Sequence, residues 1–241
     1  MRIGTLGNGL MAEALAGQWV KAGHEVMIGG RDRERAAEVA ERIVAAAGSS
    51  GEAGSSGEAR SLADAGSRVE AGSLADAGLR VGAGSLVEAA AYGEVVLLAV
   101  PAEVAVEVAG LVPAGRTVID CTNALDHRDF TLAHPETAEA IAQAVPGVQV
   151  VKAFNLAADA VWRNPPAGLG VPICGDGGVN VVADLVRDLG CVPVAAGGLV
   201  RAKLLEATAA LAIGIWVGGG NVRGMFPPLA DAFGTVLPGE S

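Results

Sequence analysis

Met1-Arg-Ile-Gly-Thr-Leu6-Gly7-Asn8-Gly9-Leu10-Met11-Ala12 opens the chain, and Glu25-Val-Met-Ile28-Gly29-Gly30-Arg31-Asp32-Arg33-Glu34-Arg35 follows one helix-length later. The apolar run Ile3 to Leu6 reads as a strand, the residues from Leu10 carry helical periodicity, and Glu25 to Ile28 reads as a second strand. Between the first strand and the helix stands a G-x-G-x-x-A spacing, Gly7, Gly9 and Ala12, so the stretch is a βαβ unit with a dinucleotide-binding fingerprint. Gly7 permits the turn out of the strand, Gly9 leaves bare backbone for a pyrophosphate, and Ala12 keeps the helix against the sheet. The helix N-terminus then presents unpaired N–H groups and a partial positive charge to the phosphates. With 35 glycines in 241 residues the spacing alone means little. Its place after a strand, at a helix start and before a second strand carries the reading.

The end of the second strand selects the cofactor. A site for NAD usually places Asp or Glu there to accept from the ribose 2′-OH, whereas this chain has Gly29-Gly30 and then Arg31. Arg31 and Arg35 lie four apart at the start of the next helix, on one face, and could hold a 2′-phosphate between two guanidinium forks. The expectation is therefore NADP(H), against the alternative that both arginines are solvated and offset by Asp32 and Glu34.

The totals fit this start. A chain of 241 residues, 51% apolar and only 3% aromatic, is long enough for one doubly wound domain with a small appendage. A net charge of −10 argues against nucleic-acid and anionic-membrane partners, which need a basic surface. Cys121, Cys174 and Cys191 are widely spaced in or beside apolar runs and read as buried thiols in a reducing cytosol rather than a disulfide frame or metal site. The apolar start is broken by the glycine turn, which argues against a secretory segment, and the run Leu204 to Val217 carries Glu206 and is shorter than the roughly 20 residues of a membrane span. The expectation is a soluble, cytoplasmic protein.

Beyond the glycine loop, helices and strands alternate. The first helix is expected over Leu10 to Ala22, with Leu15, Trp19 and Val20 toward the sheet, and the second over Asp32 to Ala46. His24 reads as a capping or surface residue at the end of the strands away from the chemistry. Then the pattern breaks: Ala47 to Glu52 recurs as Ala53 to Glu58, and Ser61 to Gly72 recurs as Ser73 to Gly84. These units are too short and polar to stack a core, so residues 47–78 read as a low-complexity insertion within one domain. Strand three is placed near Leu79 to Val81, with a short helix from Ser85 to Ala91. Glu94 to Ala99 reads as a central parallel strand ending at Val100-Pro101, followed by a helix over Ala102 to Leu111 and a strand over Thr117 to Asp120. Both strand ends fall on the edge of the glycine loop, so Val100, Pro101 and Asn123 are candidates to line the nicotinamide half of the site; Asn123 reads equally well as a turn former. A helix over Pro135 to Ala144 leads to the strand Gln149 to Lys152, where the lysine is expected to point to solvent. Val171 to Cys174, Val179 to Leu189 and Val192 to Ala195 read as strand, helix and strand. The long, nearly uncharged helix Val200 to Val217 must bury most of its surface, and a homodimer is expected there. Residues 1–199 thus form the nucleotide-binding domain, and residues 200–241 a helix and tail supplying the acceptor pocket and the dimer contact.

Seven segments, Ile3 to Ala16, Gly29 to Asp32, Glu94 to Pro101, Val118 to Leu125, Val150 to Asn155, Pro172 to Asp176 and Leu199 to Leu211, together resemble NADPH-dependent reductases of the deazaflavin coenzyme F-420 (F420). The cytosolic domains of membrane ferric reductases look like relatives, without their membrane portion. The resemblance implies an α/β fold, a doubly wound, mostly parallel Rossmann sheet with a small C-terminal helical extension. It implies direct hydride transfer between NADPH and a stacked 8-hydroxy-5-deazaflavin ring. Carried over by position, Gly7, Asn8, Gly9, Leu10 and Met11 would hold the pyrophosphate, and Gly30, Arg31 and Arg35 would surround the 2′-phosphate. Val100, Pro101, Ala153 and Asn155 would flank the nicotinamide. Gly30 stands where a serine contact is common, and the loop lacks the extra Gly-Thr step of archaeal members.

Ring-to-ring hydride transfer needs alignment rather than a nucleophile, and the sequence offers no triad and no metal-ligand cluster. Reduction of a carbonyl or imine would need a proton donor, for which His127, Asp126 and Tyr92 are poor candidates and His134 lies in the same polar region. Two other functions stay open. One is reduction of a small imine or carbonyl, since Gly-Asn-Gly-Leu-Met-Ala-Glu-Ala also looks like the start of pyrroline carboxylate reductases, although their C-terminal half is all-helical and strands continue here past residue 170. The other is a non-catalytic NADP(H)-binding sensor.

Overall fold

The computed structural model describes residues 1–48, 80–126, 128–133 and 136–225. The expected insertion therefore falls almost wholly outside the described residues, as do Leu79, His127, His134, Pro135 and the tail from residue 226. Strand β1 (Arg2–Leu6) is buried on both faces and pairs in parallel with β2 (Glu25–Gly30) on one side and β4 (Val95–Leu98) on the other. Beyond β2 lies β3 (Val81–Ser85), and beyond β4 lie β5 (Thr117–Asp120) and β6 (Gln149–Lys152), all parallel. Next, β7 (Gly170–Gly175) runs antiparallel to β6, and β8 (Val192–Gly197) runs parallel to β7. The order is β3-β2-β1-β4-β5-β6-β7-β8, so the chain reverses its progress across the sheet between β1 and β4. In doubly wound sheets the ligand crevice opens at that reversal, beyond the carboxyl ends of the strands.

Helices cover both faces of the sheet. On one face α1 (Leu10–Lys21), α2 (Arg33–Gly48), the short α6 (Asp159–Trp162) and α7 (Val179–Asp188) cover Ile3, Leu97, Ile119 and Val151. On the other, α3 (Leu86–Tyr92), α4 (Ala102–Ala109), α5 (Thr137–Ala144) and α8 (Ala202–Val217) cover Leu6, Val96, Val118 and Val150. Burial on both faces explains why the central strands read as continuous apolar runs.

The expected elements are present with small shifts. β3 lies later than Leu79 to Val81, because Ser85 closes the strand and caps α3: its hydroxyl accepts from the Glu88 N–H, and the Glu88 carboxylate returns to the Ser85 N–H. A 3-10 turn (Leu199–Arg201) precedes α8, and α6 was not expected at all, four residues being too few to show a period. Helix α8 buries Leu205, Ala209 and Ala212 but leaves Leu204, Leu211, Trp216 and Val217 exposed. No helix among the described residues is long and apolar enough to cross a membrane.

Candidate cofactor site

The crevice is built on the turn from β1 into α1. Gly7 has φ 119°, and a Cβ there would stand 2.2 Å from the Ala99 carbonyl oxygen, so both conformation and space require glycine. Its N–H donates to the Gly29 carbonyl (3.0 Å), tying the carboxyl ends of β1 and β2 together. Gly9 is the N-cap of α1, no side chain caps that helix start, and a Cβ on Gly9 would meet nothing within 4 Å. The first-turn amides therefore face open space, as an anion site requires.

A cleft of about 580 Å³ lies in front of this turn, a volume in the range of ligand sites. Its walls contain Gly7, Asn8, Gly9, Gly30, Arg31, Arg35, Val100 and Pro101 among the expected residues. Helix α4 adds Val104 and Val108, and Leu111 just past its end joins them in an apolar wall with Glu107 among them. Neither the Arg31 nor the Arg35 guanidinium has an ion-pair partner among the described residues, whereas Arg33 between them pairs with Glu88 at 2.8 Å. Asp32 caps α2: its Oδ1 accepts from the N–H groups of Glu34 (2.9 Å) and Arg35 (3.2 Å).

The remaining expected residues lie elsewhere. Leu10 is exposed at the start of α1 and Met11 is half-buried, and neither stands in the cleft wall. Asn123 and Asn155, just past β5 and β6, form a reciprocal pair: Asn123 Nδ2 donates to the Asn155 carbonyl (2.7 Å) and Asn155 Nδ2 donates to Asn123 Oδ1 (2.9 Å). Ala153 is fully buried in the core, so its methyl group is not part of an open wall.

Lys152 overturns the expectation of a solvent-facing side chain. It is wholly buried and donates to Asp120 Oδ2 (2.9 Å), Glu206 Oε1 (2.7 Å) and the Thr122 carbonyl (2.5 Å), a separate acceptor for each proton. Burial pulls the ammonium down, but the charges of Asp120 and Glu206 outweigh it and hold Lys152 above its ordinary value. Burial also pushes the Glu206 carboxyl up, against Lys152 and the Glu136 amide at the start of α5. The triad joins β5, β6 and α8 directly beneath the asparagine pair. Cys121 beside it is inert, its thiol pushed up to about 12 by burial and by Asp120.

Of the proton-donor candidates, Tyr92 and Asp126 have partners of their own. Tyr92 donates to Glu25 Oε2 (3.0 Å) at the amino end of β2, the edge away from the crevice, and burial with that bond raises it to about 12. Asp126 is engaged by Arg128, and His127 and His134 lie outside the described residues. His24 bonds Asp188 at 2.8 Å, also at the far edge. Among the described residues no group of His, Cys, Asp and Glu is arranged to hold a metal ion.

A family model described as NADP oxidoreductase, coenzyme F420-dependent, matches residues 2–124. That is over half of the chain, from the glycine loop through the ends of β4 and β5. The chain belongs to this family of F420-dependent NADP oxidoreductases. Solved structures share its fold. A hypothetical protein, SMa0349, of Sinorhizobium meliloti is 24% identical with a TM-score of 0.61, over 84% of this chain and 86% of that one. A protein of Arthrobacter sp. FB24 described as a candidate F420-dependent NADP-reductase is 21% identical with a TM-score of 0.66, over 91% and 96%. A reductive aminase of Aspergillus terreus, in complex with NADPH and ethyl-5-oxohexanoate, is 15% identical with a TM-score of 0.61, and this chain spans only 62% of it. At these identities the likeness is one of fold. No curated protein matches the sequence. NADP(H)-dependent oxidoreductase chemistry follows from membership of this family.

Proposed function

We propose that this chain transfers a hydride between NADPH and a deazaflavin, coenzyme F-420 or a related flavin-like acceptor. The observation that carries the reading is the crevice itself: a bare glycine turn, two arginines with no ion-pair partner among the described residues, and an apolar wall, with no acid–base pair among the described residues of its lining. Gly7, Asn8 and Gly9 present the backbone to the pyrophosphate, with Leu10 and Met11 completing the first turn of α1. Arg31 and Arg35 hold the 2′-phosphate over Gly30, and Val100, Pro101 and the Asn123–Asn155 pair flank the nicotinamide. When bound, the nicotinamide supplies the hydride; the chain's residues align the two rings and exclude water. The apolar face of α8 is taken as the contact with a second copy, and the three free, buried cysteines support a reducing, cytoplasmic setting.

The test is the rate of NADPH oxidation by the purified protein with coenzyme F-420 as acceptor, and with FMN, a small cyclic imine and a ketone as comparisons. Turnover with the deazaflavin alone is expected. The likeness to the reductive aminase favours a second reading, a small imine or carbonyl as acceptor, and turnover only with those compounds would establish it. Tight NADPH binding with no turnover of any acceptor would leave a sensor.

A further inference from the structure

The carboxyl ends of β1 and β2 are stitched together just behind the cleft. Gly7 donates its N–H to the Gly29 carbonyl (3.0 Å). The buried Thr5 hydroxyl donates to the Gly7 carbonyl (3.1 Å) and accepts from the Gly29 N–H (3.4 Å). The residues that follow, Asn8 and Gly30, are thereby held against each other, and both line the cleft together with Arg31 and Arg35.

The backbone at Gly30 is not left-handed, so conformation does not call for glycine there; space does. A Cβ on Gly30 would stand 2.8 Å from Asn8 Nδ2 and 3.2 Å from Asn8 Cγ, with the Asp32 carbonyl oxygen at 3.0 Å. The Asn8 carboxamide thus fills the place that a side chain at position 30 would take, next to the first arginine. It makes no side-chain hydrogen bond among the described residues. The NH2 end belongs at that spot, because the Asp32 carbonyl bordering it is an acceptor. Beside two guanidinium groups on long stems, the end of β2 therefore offers one neutral donor on a short side chain, placed by the stitched turns.

We infer that the Asn8 carboxamide donates to the ribose 2′-phosphate, making Asn8 a specificity-determining residue for NADP(H) over NAD(H), with Gly30 left bare to admit it. The inference rests on the NADP(H) reading above. It goes beyond the backbone contact of Asn8 with the pyrophosphate, a group that both dinucleotides share.

The experiment measures equilibrium affinity for NADP+ and NAD+ in the wild type, Asn8→Ala, Gly30→Ser and the double variant. Asn8→Ala should lower the ratio of NADP+ to NAD+ affinity roughly tenfold, the loss of one charge-assisted bond. Adding Gly30→Ser to Asn8→Ala should recover most of that ratio, because the serine then fits and its hydroxyl donates in the vacated place. With Asn8 present the same serine meets its amide and should bring no gain. A ratio unchanged in Asn8→Ala overturns the inference: equal losses would put the side chain on the shared pyrophosphate, and no loss would leave it without a role. Asn8→Asp decides the matter if Asn8→Ala fails to fold, since it keeps the shape and sets a carboxylate against the phosphate. Its ratio should fall at least as far, and an unchanged one overturns the inference as well. Failure of the wild type to bind both NADP+ and 2′,5′-ADP would bring down the cofactor reading itself.

Discussion

Lys152 is the residue whose environment differs most from its sequence context. On the strand Gln149 to Lys152 it could be any solvated lysine; its partners Asp120 and Glu206 stand far away along the chain and meet it only when β5, β6 and α8 are in place. Removing the ammonium leaves two carboxyl groups in a dry site, so Lys152→Met should cost about 3–5 kcal/mol of stability. The denaturant midpoint would show it, with an unchanged slope indicating that the loss is stability rather than compactness. Glu206→Gln should cost far less, because it keeps an acceptor for Lys152 and sheds a charge that burial disfavours. Arg31 is the opposite case, an exposed cation with no ion-pair partner among the described residues. Arg31→Ala should weaken NADP+ binding by roughly tenfold or more while barely moving NAD+, the cost of one charge-assisted bond to the 2′-phosphate. Equal losses for both dinucleotides would remove the arginine from that role.

Among the elements, α3 offers a sharp test because its start is secured by charge. The Ser85 N–H and hydroxyl, and then Arg33, hold the Glu88 carboxyl down to about 2. With the folded value below the ordinary one, the stabilisation is complete above about pH 4.5 and disappears as the pH falls through about 2. Glu88→Gln should therefore melt below the wild type at neutral pH, and the two melting temperatures should converge in acid. The S-x-x-E spacing was there to be read in Ser85-Leu-Val-Glu88, yet it sits at the end of a repeat whose copies mask it. Strands β1, β4 and β5 were legible because burial on both faces leaves an unbroken apolar run, and the glycine turn because its two constraints admit one residue type. Helix α6 and the left-handed backbone of Phe154, with its φ of 64°, were not. A four-residue helix has no period, and the left-handed turn at Phe154 is imposed by Trp19 and Trp162, which the sequence keeps apart. Of the residues expected to hold the cofactor, those on the turns after β1, β2 and β4 line one cleft, while the pair after β5 and β6 depends on a hydrogen-bond exchange that no spacing encodes.

At the scale of the whole molecule, α8 ties the cofactor domain to whatever covers its outer face. Glu206 points inward to Lys152, and Leu204 and Leu211, seven residues apart, lie on nearly the opposite side of the helix and are half exposed. Thr208 shares that exposed face, with the half-buried Ile215 one turn beyond Leu211, a spacing that suits helix against helix. Exposed Trp216 and Val217 extend the apolar surface, and Val192 and Val194 are exposed on the neighbouring edge strand β8. A surface of that kind on an otherwise acidic chain is best covered by its own copy, because the seam carries no charge to repel itself. The protein should therefore scatter light as a dimer at micromolar concentration. Leu211→Glu should scatter as a monomer with the same far-ultraviolet circular dichroism, since Leu211 contributes little to the inner packing of α8. If the seam also steadies α8, the monomeric variant should lose affinity for NADP+ as well, because Glu206 would no longer hold Lys152, and through it the turn at Asn123, as firmly. A wild type that scatters as a monomer would assign the exposed leucines to some other partner and uncouple the two ends of this chain of contacts.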